Sequence, residues 1–90
     1  VNRTTRENAK SVYSTIFDGQ YPAKHRVLIL WRAEGFTELE HRSAAFEEYF
    51  DAQTYAKSLC DKYLSLNLPF TVYLDREVFF HTQEPVFTYD

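Results

Sequence analysis

Three histidines, two serines and a few acidic pairs are the residues of this chain whose types could do chemistry. His25, His41 and His81 stand far apart, and none lies within four residues of another histidine or of Cys60. A zinc site needs three or four converging nitrogen, sulfur or oxygen ligands, ordinarily with at least one short spacing. The one constellation left open is His41 meeting His81 across a sheet beside Glu40 or Glu84; the plainer expectation is surface histidines and no metal. Glu47-Glu48 and Asp75 with Glu77 supply paired carboxylates of the kind a glycosidase uses. In 90 residues there is little room for a cleft to hold a sugar between such a pair, so solvated strand and turn positions are expected instead. Ser43 and Ser58 lack the setting of a nucleophile elbow and have no neighbouring base. Two glycines cannot build a phosphate-cradling loop, which needs several positions that only glycine tolerates. The expectation is a non-enzymatic chain without cofactor.

What the chain has in quantity is aromatic surface. Seven Tyr, eight Phe and one Trp make 18% of it, and such side chains serve both small cores and protein interfaces. The first functional expectation is therefore a protein-binding or regulatory module, with a second copy of itself among the partners. Tyr13, Phe17, Trp31, Tyr49 and Phe79 are the candidate contact residues, each also a candidate for the core. A second expectation comes from charge. Residues 1–32 carry six basic and two acidic side chains, whereas 33–90 carry four basic and eleven acidic, against an overall charge of -3. Lys24, His25, Arg26 and Arg32, extended by Arg3, Arg6 and Lys10, form a candidate single-stranded nucleic-acid surface flanking an aromatic strand. The acidic remainder would repel phosphate. Its mirror image is an acidic inhibitor or decoy that occupies a basic site on another protein through Glu34, Glu38, Glu40, Glu47, Glu48 and Asp51. Simple solvation of two unlike faces explains the same charges.

Size and composition bound these readings. Ninety residues fit one domain. The longest apolar run, Val27-Leu28-Ile29-Leu30-Trp31, is strand-sized and far short of the roughly 20 residues that span a bilayer. The opening residues are too polar for the apolar part of a signal peptide. A lone Cys60 on an apolar helical stripe reads as a buried small hydrophobe and fits a reducing, cytoplasmic compartment.

The elements that must position these residues give an α+β class: a small antiparallel sheet packed against a capped amphipathic helix at 51–66, with a further helix at 5–17. Thr4 and Glu7 form a capping box, and Ala9, Val12, Tyr13, Ile16 and Phe17 repeat on one helical face. Asp18-Gly19 closes that helix. Residues 26–33 read as a central strand with two apolar faces, one for a helix and one for a partner. Glu34-Gly35 makes a turn. Residues 36–41 are expected as a strand, Arg42 to Ala44 as a turn and 45–50 as another strand, with Phe46 and Phe50 inward; a helix over 38–50 is the alternative. Asp51 caps the next helix, whose stripe runs Ala52, Tyr55, Ala56, Leu59, Cys60, Tyr63 and Leu64 until Asn67 and Pro69 stop it. Strands at 70–74 and 77–82 follow around Asp75-Arg76, with Val78 and Phe80 on one face. Val86 to Tyr89 is expected as a short edge strand.

Overall fold

A strand buried on both faces needs cover on both sides, and β2 (His25–Arg32) receives it. The computed structural model describes residues 2–4, 9–18, 24–32 and 39–82. Around β2 lie β1 (Asn2–Thr4), α1 (Ala9–Asp18), β3 (Leu39–Phe46), α2 (Tyr49–Ser65), β4 (Phe70–Leu74) and β5 (Glu77–His81). The sheet order is β1-β3-β2-β4-β5, with every neighbouring pair antiparallel. The α+β class stands, with one helix on each face.

Strand alternation sorts the core into two halves. Val27, Ile29 and Trp31 of β2, with Phe70, Val72 and Leu74 of β4, meet Ala52, Ala56, Leu59, Cys60 and Tyr63 of α2. Leu28 and Leu30, with Leu39 and Tyr73, meet Tyr13 and Phe17 of α1. The second face of β2, expected to meet a partner, is thus covered by the chain's own first helix. The Tyr13 ring sits edge-on to Tyr73 at 5.1 Å and 4.8 Å from Phe17.

Helix α2 begins two residues earlier than expected. Its cap is Glu48, in extended conformation and with no side-chain cap hydrogen bond, and Asp51 stands inside the first turn as a favourable charge. The C-terminus closes in a Schellman motif. Asn67 takes φ 56°, its N–H donates to Leu64 O, and Leu68 N donates to Tyr63 O. Pro69 then prevents continuation.

Residues 39–50 correct the sequence reading. There is no turn at Arg42 to Ala44 and no helix over 39–46: β3 runs unbroken from Leu39 to Phe46, and Tyr49 and Phe50 already belong to α2. Arg42-Ser43-Ala44-Ala45 lacks Gly, Pro, Asn and Asp, so it has poor turn chemistry. Phe46 is half-buried against Tyr55, but Phe50 is 73% exposed rather than inward.

A second correction concerns β5. The ladder slips by one residue opposite Val72 and Tyr73, so that Tyr73 faces Val78 while Val72 faces Phe80. The extra residue breaks the alternation. Val78 joins the α1 side, and Phe79 and Phe80 both lean to the α2 side, Phe80 lying 5.8 Å from Phe70. Thr4 belongs to β1. The remainder of the Thr4–Glu7 box, Gly19, the 34–35 turn, the start of the 36–41 strand and the 86–89 strand lie outside the described residues.

Candidate functional site

The three histidines are not brought together. His41, Leu30, Thr71 and His81 occupy one row across β3, β2, β4 and β5. Three strand spacings put His41 and His81 about 14 Å apart, too far to share an ion. No group of three or more His, Cys, Asp or Glu among the described residues could hold a metal. Ser58 donates to Tyr55 O at 2.7 Å, a local helical bond, and Ser43 is exposed on β3. Burial and the neighbouring Asp61 push the Cys60 thiol up from its ordinary value, so it is held as a thiol inside the core.

The densest polar cluster gathers where β4 turns into β5. Asp75 and Arg76 form a two-residue loop in which both have positive φ, 48° and 77°. This is the mirror-image turn that matches strand twist and that ordinarily asks for Asn-Gly. Asp tolerates the left-handed region through local hydrogen bonding; Arg does so at a steric cost. The surroundings hold both in place. Asp75 Oδ1 accepts from Arg26 N at 3.0 Å and Oδ2 lies 2.6 Å from His25 Nδ1. Tyr13 Oη donates to Arg76 O at 2.6 Å, and the Arg76 guanidinium donates to Phe17 O at 2.9 Å and pairs with Asp18. Arg26 donates to Ile16 O at 2.8 Å. Helix α1 has no basic residue in its own last turn; Arg26 and Arg76 supply that charge from the sheet and satisfy its terminal carbonyls. The cluster fastens α1 to one end of the sheet.

That fastening decides where the candidate site residues stand. Of the basic set, Lys24 is exposed, His25 is engaged with Asp75, and Arg26 is engaged with α1. Arg32 lies at the opposite end of β2, about 20 Å away at the rise of a strand, so the four do not form one patch. Of the aromatic set, Tyr13, Phe17 and Trp31 are buried and Phe79 is half-buried on the α2 core; Tyr49 alone stands on the surface, its ring edge-on to His25. A folded chain cannot present the three buried rings to a partner, because the sheet and its helices consume them.

What the sequence reading missed is the outer edge of β3. β1 pairs with Leu39, Glu40 and His41 only. From Arg42 to Phe46 no described strand lies on that side, and Arg42, Ser43 and Ala45 are exposed. Both helices are set back from this edge: α1 covers Leu28 and Leu30 of β2, and α2 packs chiefly on β4 and β2. Between α1 and β3 run two shallow hollows of about 250 and 270 Å³, one lined by Ile16, Arg26, Ser43, Ala44 and Ala45, the other by Ser11, Val12, Thr15, Ile16 and His41. Burial holds His41 below its ordinary pKa, and its Nδ1 is enclosed without a hydrogen-bond partner. Arg42, Glu47 and Glu48 form no ion pair with any described residue. Along Arg42–Phe46 the edge has no neighbouring strand among the described residues, its side chains are small at Ser43, Ala44 and Ala45, and the two hollows lie beside it.

No helix among the described residues is long and apolar enough to cross a membrane. Comparison with known proteins finds no matching family model, no matching curated relative and no matching solved structure.

Proposed function

We propose that this chain is a non-catalytic protein-binding module that takes up an extended segment along the free edge of β3. The observation that carries the reading is the five-residue run Arg42–Phe46, which has strand geometry, exposed side chains at Arg42, Ser43 and Ala45, and no neighbouring strand among the described residues on its outer side. An edge of this kind offers main-chain hydrogen bonds to any extended chain, and the adjoining hollows supply selection among side chains. Exposed Tyr49 and Phe50 lie just beyond the end of the strand and add apolar area there. A single thiol, buried and held protonated, fits a reducing cytoplasmic setting.

The test is to select binding peptides from a random display library against the folded chain and to map them by amide hydrogen exchange. Binders are expected to slow exchange at 42–46 while leaving the β5 amides unchanged. Selected peptides that protect other surfaces and leave 42–46 untouched would overturn the assignment.

A further inference from the structure

We infer that α1 is a releasable cover: it opens from the sheet as a unit while α2 and the central strands stay folded, and so uncovers a second apolar face made by Leu28, Leu30, Leu39 and Tyr73. This stands apart from whatever the β3 edge takes up. The two faces of the sheet are finished unequally. On the α2 side, Val27, Ile29 and Trp31 with Phe70, Val72 and Leu74 meet a helix of 17 residues, and no described residue there leaves a buried side-chain nitrogen or oxygen without a partner. The α1 side is covered by a helix of 10 residues. Arg32 Nε, His41 Nδ1 and Thr71 Oγ1 are all enclosed on that side without a hydrogen bond. Their placement follows from register, since residues opposite each other in an antiparallel pair share a face. His41 and Thr71 both lie opposite Leu30, Arg32 lies opposite Leu39, and Leu30 and Leu39 belong to the α1 core.

An enclosed polar atom without a partner costs free energy that water restores once its surroundings open. Hydration of these atoms offsets part of the cost of exposing the leucines beside them. Packing acts in the same direction. Two hollows run between α1 and β3, and Val12 and Ile16 are only half-buried there. The polar contacts that hold α1 are gathered on Tyr13, Ile16, Phe17 and Asp18, and three of them end on Arg76. Arg76 stands at φ 77°, a steric cost for a residue with a Cβ. When α1 leaves, those three contacts are gone and the turn relaxes, which returns part of what breaking them costs. Helix and turn are therefore released together. The rings of Tyr13 and Phe17 are the apolar hold that keeps the cover closed in the ground state.

Native-state hydrogen exchange of the full chain, followed from zero to sub-denaturing urea, tests the inference. The amides of 13–18 are expected to exchange at least about tenfold faster than those of α2, β2 and β4, with a shallower urea dependence, because a partial opening exposes less surface than global unfolding. His41→Leu and Thr71→Val each remove an enclosed polar atom from the α1 side, and each should slow exchange at 13–18 about three- to tenfold. Ile29→Val, on the α2 side, should speed exchange of the α2, β2 and β4 amides about three- to tenfold and leave 13–18 unchanged. Thr71→Val and Ile29→Val alter side-chain shape little, so both are expected to keep the wild-type fold, checked by amide spectra. Exchange at 13–18 that merges with that of α2 at every urea concentration overturns the inference. So does early exchange at 13–18 that neither His41→Leu nor Thr71→Val slows, since that marks fraying of the helix over a sheet face that stays covered.

Discussion

The two edges of this sheet are built on opposite terms. On the β5 side, the turn at Asp75-Arg76 is held by α1 and β2 through five short contacts, and the strand is bulged and bounded by Glu77 and His81. A bulge and the charge of Glu77 at the strand's start discourage a further strand. On the β3 side, the outer half of the strand is regular and carries the small residues Ser43, Ala44 and Ala45, with Phe46 against Tyr55 as its ring contact with α2. The difference teaches where each edge spends its side chains. The β5 edge uses charge inward, to bind the chain to itself. The β3 edge leaves Arg42, Glu47 and Glu48 without an ion pair among the described residues.

If that division is right, the fastened end should dominate stability, and its largest single contributor should be Asp75. Asp75→Ala removes the hydrogen bond to Arg26 N and the contact with His25, and leaves a non-glycine residue at φ 48° without side-chain support. A loss of about 2–3 kcal/mol is expected by urea unfolding. A loss within experimental error would show that the turn is held by strand pairing alone.

Arg76 allows the strain to be separated from the contacts. Arg76→Ala and Arg76→Gly both delete the pair with Asp18 and the bond to Phe17 O, and they differ in what φ 77° costs alanine and in the greater freedom glycine has in the unfolded chain. The glycine variant should be the more stable by about 1 kcal/mol. Equal stabilities would mean that the backbone relaxes out of the mirror-image turn once the side chain is gone.

The same cluster shows why the sequence yields some parts of this molecule and withholds others. Strand β4 and its return are legible because Phe70 to Leu74 form a compact apolar strand pattern ended by Asp-Arg, and α2 is legible because its stripe repeats without a break. The fastener is not, since Asp75 lies 50 residues from His25 and Arg76 lies 59 from Phe17; no local pattern encodes such a pairing. β3 is obscure for a related reason. A strand displays period-two alternation when one face is buried and the other is wet. Beyond His41 neither face of β3 is fully covered, so Arg42 to Ala45 carry no such signal.

Tyr13 probes the fastening from the helix side. Its ring is buried against Tyr73 and Phe17, while its hydroxyl donates to Arg76 O at 2.6 Å. Tyr13→Phe keeps the ring packing and removes that donor. The expected cost is about 1 kcal/mol in denaturant midpoint analysis, with hydrogen exchange of the α1 amides accelerated more than that of β3. Equal acceleration in both would place α1 and β3 in one cooperative unit and erase the contrast between the edges.

The smallest expected effect lies beside the open edge, at His41. Burial lowers its pKa in the folded chain, and its enclosed Nδ1 has no partner. The unfolded chain binds a proton near the ordinary histidine value of about 6.5, before the folded chain does. Between that value and the lower folded one, the unfolded state holds more protons, so stability falls as pH falls. Below the folded pKa the cost is complete and the slope from this group disappears. Because His41 is only partly enclosed, the contribution is expected to be under about 1 kcal/mol. Comparing urea midpoints of wild type and His41→Gln at neutral and mildly acidic pH isolates it, since glutamine does not titrate and the other histidines remain common to both. The variant should lose less stability on acidification. Identical losses would mean that water reaches Nδ1 through the groove beside α1, leaving that side of β3 more open than its static burial implies.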